Sequence, residues 1–226
     1  MKKQVSTILL AGLLLMGCSG NNTTTPIATS TPPTAAATPS APTPKTTLGD
    51  LKTEGVTLTT DHRGNPDSAF QFKGDQGLPV EFNLNPDVLP QCTLVTWARY
   101  TGEPGGVQQV VSHDDGGYDR SLGLDDRGGQ WGWSCFAGSQ GVLGGFPVKA
   151  GEWTFLAVVY DADKTTLYAG EEKAEAADAR PGSGLEILNL GANPSYGEYF
   201  TGDVEPVLVF DRALTEEEIR ALMKSE

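Results

Sequence analysis

Beyond residue 68 the chain is cut into short β-type runs, and this pattern constrains the fold more than any other feature. Alternating or continuous stretches of β-branched and aromatic residues occupy 69–72, 80–84, 93–100, 107–112, 121–124, 130–136, 153–161, 165–169, 185–190 and 204–210. Gly-, Pro- or Asp-rich segments separate them. That spacing predicts an all-β fold, two antiparallel sheets packed face to face as a sandwich. One connection is directly legible: Asp161-Ala162-Asp163-Lys164 lies between two apolar runs and reads as a hairpin turn. With 28 Gly and 15 Pro against a charged fraction of 20%, the composition suits many strands joined by tight turns and argues against a helical bundle.

A single helix is expected, at the end. Thr215 is a natural N-cap, Glu218 sits where a capping box needs it, and Leu214 can staple onto Ile219. Glu216 and Glu217 favour the positive end of the helix dipole. Ile219, Leu222 and Met223 form one apolar stripe, which predicts a short lid lying on the sandwich.

The N-terminus has a different character. Lys2 and Lys3 precede an apolar run over residues 5–16 that ends in Leu15-Met16-Gly17-Cys18. At about a dozen residues the run is too short for a hydrocarbon core that needs about 20, and it has the layout of an export signal. The tetrad resembles the lipobox of bacterial lipoproteins, which implies cleavage before Cys18, a lipid on its thiol and residence in the cell envelope. Ser19 after the cysteine resembles lipoproteins sent to the outer membrane of two-membrane bacteria. Residues 19–47 are almost entirely Thr, Ser, Pro, Ala and Asn, a solvated stalk that could extend about 90 Å. The expected organisation is therefore signal 1–18, stalk 19–47 and folded domain 48–226. Removing Lys2 and Lys3 from 16 basic residues leaves 14 against 29 acidic ones, so the mature chain carries −15. Nucleic acid is excluded as a partner by that charge, and membrane contact is expected through the lipid alone.

Further along, a family pattern emerges. Ala69-Phe70-Gln71-Phe72-Lys73-Gly74-Asp75 is followed by a strand with Leu94 and Trp97, then by Gly151-Glu152-Trp153-Thr154-Phe155 and Thr166-Leu167-Tyr168. Thr201-Gly202-Asp203-Val204-Glu205 and the ending Val207-Leu208-Val209-Phe210-Asp211-Arg212-Ala213-Leu214 complete it. Over roughly residues 50–224 this order resembles the laminin-G-like, concanavalin A-like jelly rolls of bacterial surface proteins. Phe155, where the family often has His, and Glu205-Pro206, where it has Asp-Glu, depart from it. The resemblance implies a two-sheet jelly roll with one short helix, and a rim Ca²⁺ with Asp75 and Glu205 as side-chain ligands. Two side chains supply only part of the six to eight oxygens that ion takes.

Catalytic patterns are absent from the sequence. His62 and His113 are the only histidines, no serine sits in a G-x-S-x-G turn, and no strand carries the alternating carboxylates of related glycosidases. Asp161-Ala162-Asp163 begins like a calcium loop, but Thr166 stands where such a loop needs Gly. The candidate ligand surface is two loops, one with Asp114, Asp115, Tyr118 and Arg120, the other with Asn193, Tyr196 and Tyr199. Flat rings with hydrogen-bonding groups around them suit a sugar; ordinary loop chemistry is the alternative. Trp131 and Trp133 share a strand face, as core or as a sugar platform. Cys92 and Cys135, the cysteines left after lipidation, are expected to pair in an exported domain, with two separate buried thiols as the alternative. Together these features describe a lipid-anchored, non-catalytic binding or adhesion module for a glycan or a surface protein. A structural envelope component is the second reading, and a polysaccharide hydrolase or lyase, with carboxylates assembled from distant loops, the third.

Replacing Cys18 by Ala should abolish incorporation of a labelled fatty acid and release the chain from the membrane fraction. Retained label in that variant would show that another residue carries the lipid.

Overall fold

The computed structural model describes residues 41–48, 56–162 and 164–225. The signal segment, Cys18 and most of the stalk lie outside the described residues, as does the turn residue Asp163. In chain order the strands are β1 (Thr46–Leu48), β2 (Thr57–Thr59), β3 (Ala69–Lys73), β4 (Leu78–Val80), β5 (Cys92–Tyr100), β6 (Gln108–His113), β7 (Arg120–Asp125), β8 (Gly132–Phe136) and β9 (Val142–Phe146). There follow β10 (Trp153–Asp161), β11 (Lys164–Ala169), β12 (Glu172–Ala177), β13 (Leu188–Leu190), β14 (Ala192–Asn193), β15 (Glu198–Tyr199), β16 (Thr201–Val204), β17 (Val207–Phe210) and helix α1 (Glu216–Lys224).

The strands form the expected two-sheet sandwich. The first sheet runs β12-β11-β10-β5-β16-β3-β2, with β17 also on β5 and β1 on β17; the second runs β14-β15-β6-β7-β8-β9, with β13 on β6 and β4 on β13. Every pairing is antiparallel except the single β15–β6 bridge. Strand β1 also carries a correction. Thr46 to Leu48 pair with β17, and Lys45 donates to the Val209 carbonyl and binds Asp211, so the last residues read as stalk already belong to the domain.

Alternation fixes what each sheet shows to the other. Leu94, Ala98, Leu156, Val158 and Tyr160 of the first sheet meet Leu122, Leu124, Trp133 and Cys135 of the second in one buried core. Trp133 is 0% exposed. Trp131 is half-buried, donating from Nε1 to the Gly106 carbonyl and meeting Tyr100 edge-on, so neither Trp forms a sugar platform.

On the other face of the first sheet, Val95, Phe155, Ala157, Val159 and Tyr168 are covered by Leu214, Ile219 and Leu222. The capping box forms as expected: Thr215 Oγ1 accepts from Glu218 N at 3.3 Å, and Glu218 accepts from Thr215 N at 3.0 Å. Arg212 grips the same carboxylate through both terminal nitrogens, which, more than any other cause, lowers the Glu218 pKa to about 2.

Some strands differ from their sequence runs. Pro206 lacks an N–H, and the run over 204–210 breaks there into β16 and β17, which bond to successive stretches of β5. Strand β12 has low strand propensity and lies exposed at the sheet edge, which is why the sequence hides it.

The bridge expected between Cys92 and Cys135 is not formed. Both are free, buried thiols, Cys92 on the first sheet and Cys135 on the second. A disulfide needs Cα atoms within about 7 Å, closer than the roughly 10 Å between packed sheets. Burial pushes the Cys92 thiol up to about 11, against a smaller lowering by Arg120, and raises Cys135 further. Both thiols should therefore resist a water-soluble disulfide reagent in the native protein and titrate as two once it is unfolded without reductant. Finding no titratable thiol in the unfolded Cys18→Ala variant would restore the bridge.

Candidate functional site

The two candidate loops lie far apart in sequence and meet on the outer face of the second sheet. Leu122, Leu124, Trp133 and Cys135 point inward, so Asp125 on β7 and Phe136 on β8 point outward. The β6–β7 loop and the β14–β15 turn rise from the same face. Tyr196 donates its hydroxyl proton to the Asp115 carbonyl at 3.1 Å, which closes one loop onto the other. Gly116 allows this approach, because a Cβ there would come within 2.7 Å of the Tyr196 hydroxyl and its φ is 129°.

Between the loops is a cleft of about 220 Å³ lined by Asp114, Tyr118, Arg127, Phe136, Tyr196 and Glu198, with Gly116 and Gly117. Its polar groups are fixed by each other. The Asn193 side-chain amide donates to Asp114 at 2.9 Å and to Glu198 at 3.1 Å, while Asp114 also accepts from the Asp119 backbone N–H at 3.0 Å. Arg127 forks onto Asp125, with contacts of 2.6 to 3.0 Å, and reaches Glu198 at 3.2 Å. Its guanidinium also lies 5.5 Å from the centroid of the Tyr118 ring and 5.2 Å from that of Phe136. Tyr118 meets Phe136 edge-on, and its backbone is in the left-handed region (φ 59°), a strained geometry that presents the ring to the cleft. Tyr118 and Tyr196 remain 36% and 55% exposed. The arrangement offers ring faces above and charged hydrogen-bonding groups below, all prearranged.

Comparison with known proteins places this architecture. Residues 72–220 match the laminin-G family model described as the concanavalin A-like lectin/glucanases superfamily. The chain belongs to that superfamily. None of the curated proteins matches the chain. Among solved structures, domain 4 of AbnA, a GH43 extracellular arabinanase from Geobacillus stearothermophilus in complex with arabinotriose, is similar with TM-score 0.56 at 18% identity, over 80% of this chain and 87% of that one. The botulinum neurotoxin serotype D binding domain gives 0.54 at 13% identity, over 76% and 45%. Trypanosoma rangeli sialidase with the inhibitor DANA gives 0.52 at 15%, over 71% and 28%. These likenesses concern the fold, and the chain spans under half of the toxin domain and of the sialidase. The lectin/glucanase fold serves both binding modules and glycosidases.

In this member of the superfamily, the sequence-derived candidates divide. Asp114, Tyr118 and Tyr196 line the cleft, Asp115 supplies the carbonyl that joins the loops, and Asn193 is buried beneath them. Tyr199 is corrected: on β15 it alternates with Glu198 and so faces away from the cleft. Arg120 is corrected as well. It shares the inward parity of Leu122 and Leu124, and it donates to the carbonyls of Leu84, Leu89 and Pro90. Arg127 was missed, because it lies in an Asp-Asp-Arg turn outside both candidate loops, and Glu198 lies within the candidate loop 193–199 but was not singled out in it.

The calcium pair is also corrected. In the antiparallel β3–β16 ladder, Lys73 opposes Thr201 and Phe70 opposes Val204, so Asp75 and Glu205 lie past opposite ends. About six residues of strand, roughly 20 Å, separate them, and they cannot share one ion. Glu205 instead accepts from the His62 backbone N–H and meets its Nδ1 at 2.5 Å. Among the described residues no cluster of three or more His, Cys, Asp or Glu side chains is arranged to hold a metal.

Burial around the cleft shifts two groups in opposite directions. Asp119 is raised to about 6, first by burial and then by the neighbouring Asp114 charge. His113 is lowered to about 4, first by burial and then by Arg120, and its Nε2 accepts from Leu84 N at 3.0 Å. The folded state holds the Asp119 proton more tightly than the unfolded chain, so this group makes stability fall as pH rises from about 3.8 to about 6. For His113 the folded pKa lies below the ordinary 6.5, so its contribution is complete above that value and is lost as pH falls towards about 4. Over the shared window the two slopes oppose each other. Asp119→Asn should unmask the His113 slope, with unfolding free energy rising by on the order of 2 kcal/mol relative to wild type between pH 4 and 6. Urea melts at several pH values measure this, and parallel profiles for the two proteins would refute it.

Proposed function

We infer that the protein is a binding module displayed on the cell envelope by the lipid on Cys18, and that it holds a glycan or a glycan-bearing surface in the cleft between Tyr118 and Tyr196. The observation that carries this reading is the meeting of two distant aromatic loops over a fixed polar floor of Asp114, Arg127 and Glu198. Sugars present apolar C–H faces that stack on rings and hydroxyls that need oriented partners. The superfamily description, which names lectins, and the arabinotriose in the complex with the arabinanase domain support it. The acidic chain and the two carboxylates in the cleft favour a neutral or weakly cationic ligand.

One observation favours catalysis as a second reading. Asp114 and Glu198 bond the same Asn193 nitrogen at 2.9 and 3.1 Å, so their bonded oxygens lie within reach of a shared sugar bond. Burial also raises the Glu198 pKa, against a lowering by Arg127. Against it, both oxygens of each carboxylate already accept hydrogen bonds from protein groups. A general acid needs an oxygen turned towards its substrate. Binding therefore accounts for the geometry better than turnover.

Affinity for one saccharide is expected between millimolar and micromolar, about −4 to −8 kcal/mol, because a shallow cleft buries little surface. Many anchored copies would compensate by avidity. On a glycan array the full-length chain should bind a subset of neutral glycans, and Tyr118→Ala and Tyr196→Ala should each weaken binding about tenfold, the cost of a lost stacking face. A reducing-sugar assay on the same preparation should stay silent. Product release would move the protein into the glycosidase class, and binding indifferent to both substitutions would place the ligand elsewhere.

A further inference from the structure

Arg120 is a buried cation without a carboxylate partner. It is 2% exposed and makes no ion pair among the described residues. Its terminal nitrogens donate to three backbone carbonyls, of Leu84, Leu89 and Pro90, and its Nε–H has no acceptor. The guanidinium also lies 5.3 Å from the Tyr160 ring centroid. Carbonyl dipoles and a ring solvate the charge in part, but its field is not cancelled, and in a low-dielectric interior such a field reaches into the nearest opening.

The nearest opening is a cavity of about 210 Å³ lined by Arg120, Tyr160, Asp161, Lys164 and Arg180, among others. Arg180 is exposed and makes no ion pair among the described residues, and Lys164 stands 3.9 Å from Glu175, a loose contact. The one carboxylate among the described residues of the lining, Asp161, is held by the Gln91 side-chain amide at 2.5 Å. Among the described residues of the lining, three cations therefore face one acid around a recess, in a chain whose overall charge is −13. Such a local reversal of sign selects one kind of ligand, because each oxyanion oxygen placed between Arg180 and Lys164 also gains the field of Arg120 behind them.

We propose that this cavity is an anion-binding site, distinct from the aromatic cleft, that takes a carboxylate or sulfate group, carried by an acidic saccharide or free in solution. The anion sits against Arg180 and Lys164 at the mouth, and it is the counter-ion of Arg120. The same loop thus serves two ligands: it turns Tyr118 outward to the cleft and, two residues on, Arg120 inward to the cavity.

The test is NMR titration of the ¹⁵N-labelled full-length chain, with sulfate and D-glucuronate as probes, D-glucose as the neutral control and ionic strength held constant with sodium chloride. Saturable shifts of the Arg120 and Arg180 Nε–H resonances are expected with both anions, at millimolar half-saturation. Arg180→Ala and Lys164→Ala should each weaken the response about threefold, the size of one exposed ion pair, and Asp161→Asn should strengthen it. Tyr118→Ala should leave it unchanged, which keeps this test independent of the cleft. Tighter binding of glucuronate than of sulfate would name an acidic saccharide as the source, and the reverse a free oxyanion; either supports the site. Shifts that chloride reproduces, or that survive the Lys164→Ala, Arg180→Ala double variant, would overturn it.

Discussion

Strands β5 and β10 are apolar on both faces, and the rest of the domain follows from that. Leu94, Ala98, Leu156 and Val158 face one way; Val95, Phe155, Ala157 and Val159 face the other. A sheet with two such faces has to be covered twice. The second sheet covers one side and helix α1 the other. The helix is too short to be stable by propensity alone, and the burial of Leu214, Ile219 and Leu222, about 1.5–3 kcal/mol each, holds it in place. Thr93 ties the two layers together, because its hydroxyl donates to the Arg212 carbonyl at 2.9 Å and accepts from Leu214 N at 3.0 Å. The ending of the chain is therefore specific for a physical reason: nearly every residue from Val207 to Leu222 has an assigned contact.

The second sheet meets the opposite constraint. Among the described residues no helix covers its outer face, and charged side chains lie buried there under the two loops. Charges in such a place need partners, since an unpaired one costs several kcal/mol. Asp114, Asn193, Glu198, Arg127 and Asp125 hold one another in a continuous chain of contacts, in which only the Asn193 side-chain oxygen is left without a partner. That chain fixes the cleft floor without a ligand, so binding need not order it.

Legibility in the sequence tracked how local each feature was. The hairpin at Asp161 and the capping box at Thr215 are set by neighbours in the chain and formed as expected; most strand runs did too, but the run over 80–84 is strand only at Val80, that over 185–190 only from Leu188, and that over 204–210 splits at Pro206. The cleft required two segments about 80 residues apart to meet, and only their composition hinted at it. Parity along a strand carried more information than was drawn from it: Arg120 alternates with Leu122 and Leu124, and Tyr199 with Glu198, which assigns both to the side away from the cleft. The register of β16 against β3 had no such local signal, and so the separation of Asp75 from Glu205 could not be read. Arg127 was hidden for another reason: its partner Glu198 lies 71 residues away.

The β6–β7 loop has to satisfy both sides of the second sheet at once. Asp114 and Tyr118 belong to the outer face, while His113 and Arg120, at the ends of β6 and β7, turn into the sandwich and bond the segment around Leu84 and Leu89. Both inward side chains bear on the Leu84 backbone, His113 accepting from its N–H and Arg120 donating to its carbonyl. Burial, and after it the neighbouring Arg120 charge, opposes protonation of His113, so the histidine stays an acceptor and the clamp on Leu84 holds across the ordinary pH range. A change that loosened either bond would shift the base of the loop and, with it, the backbone that carries Tyr118. Interior polar contacts, not surface chemistry alone, therefore set the position of the aromatic cleft.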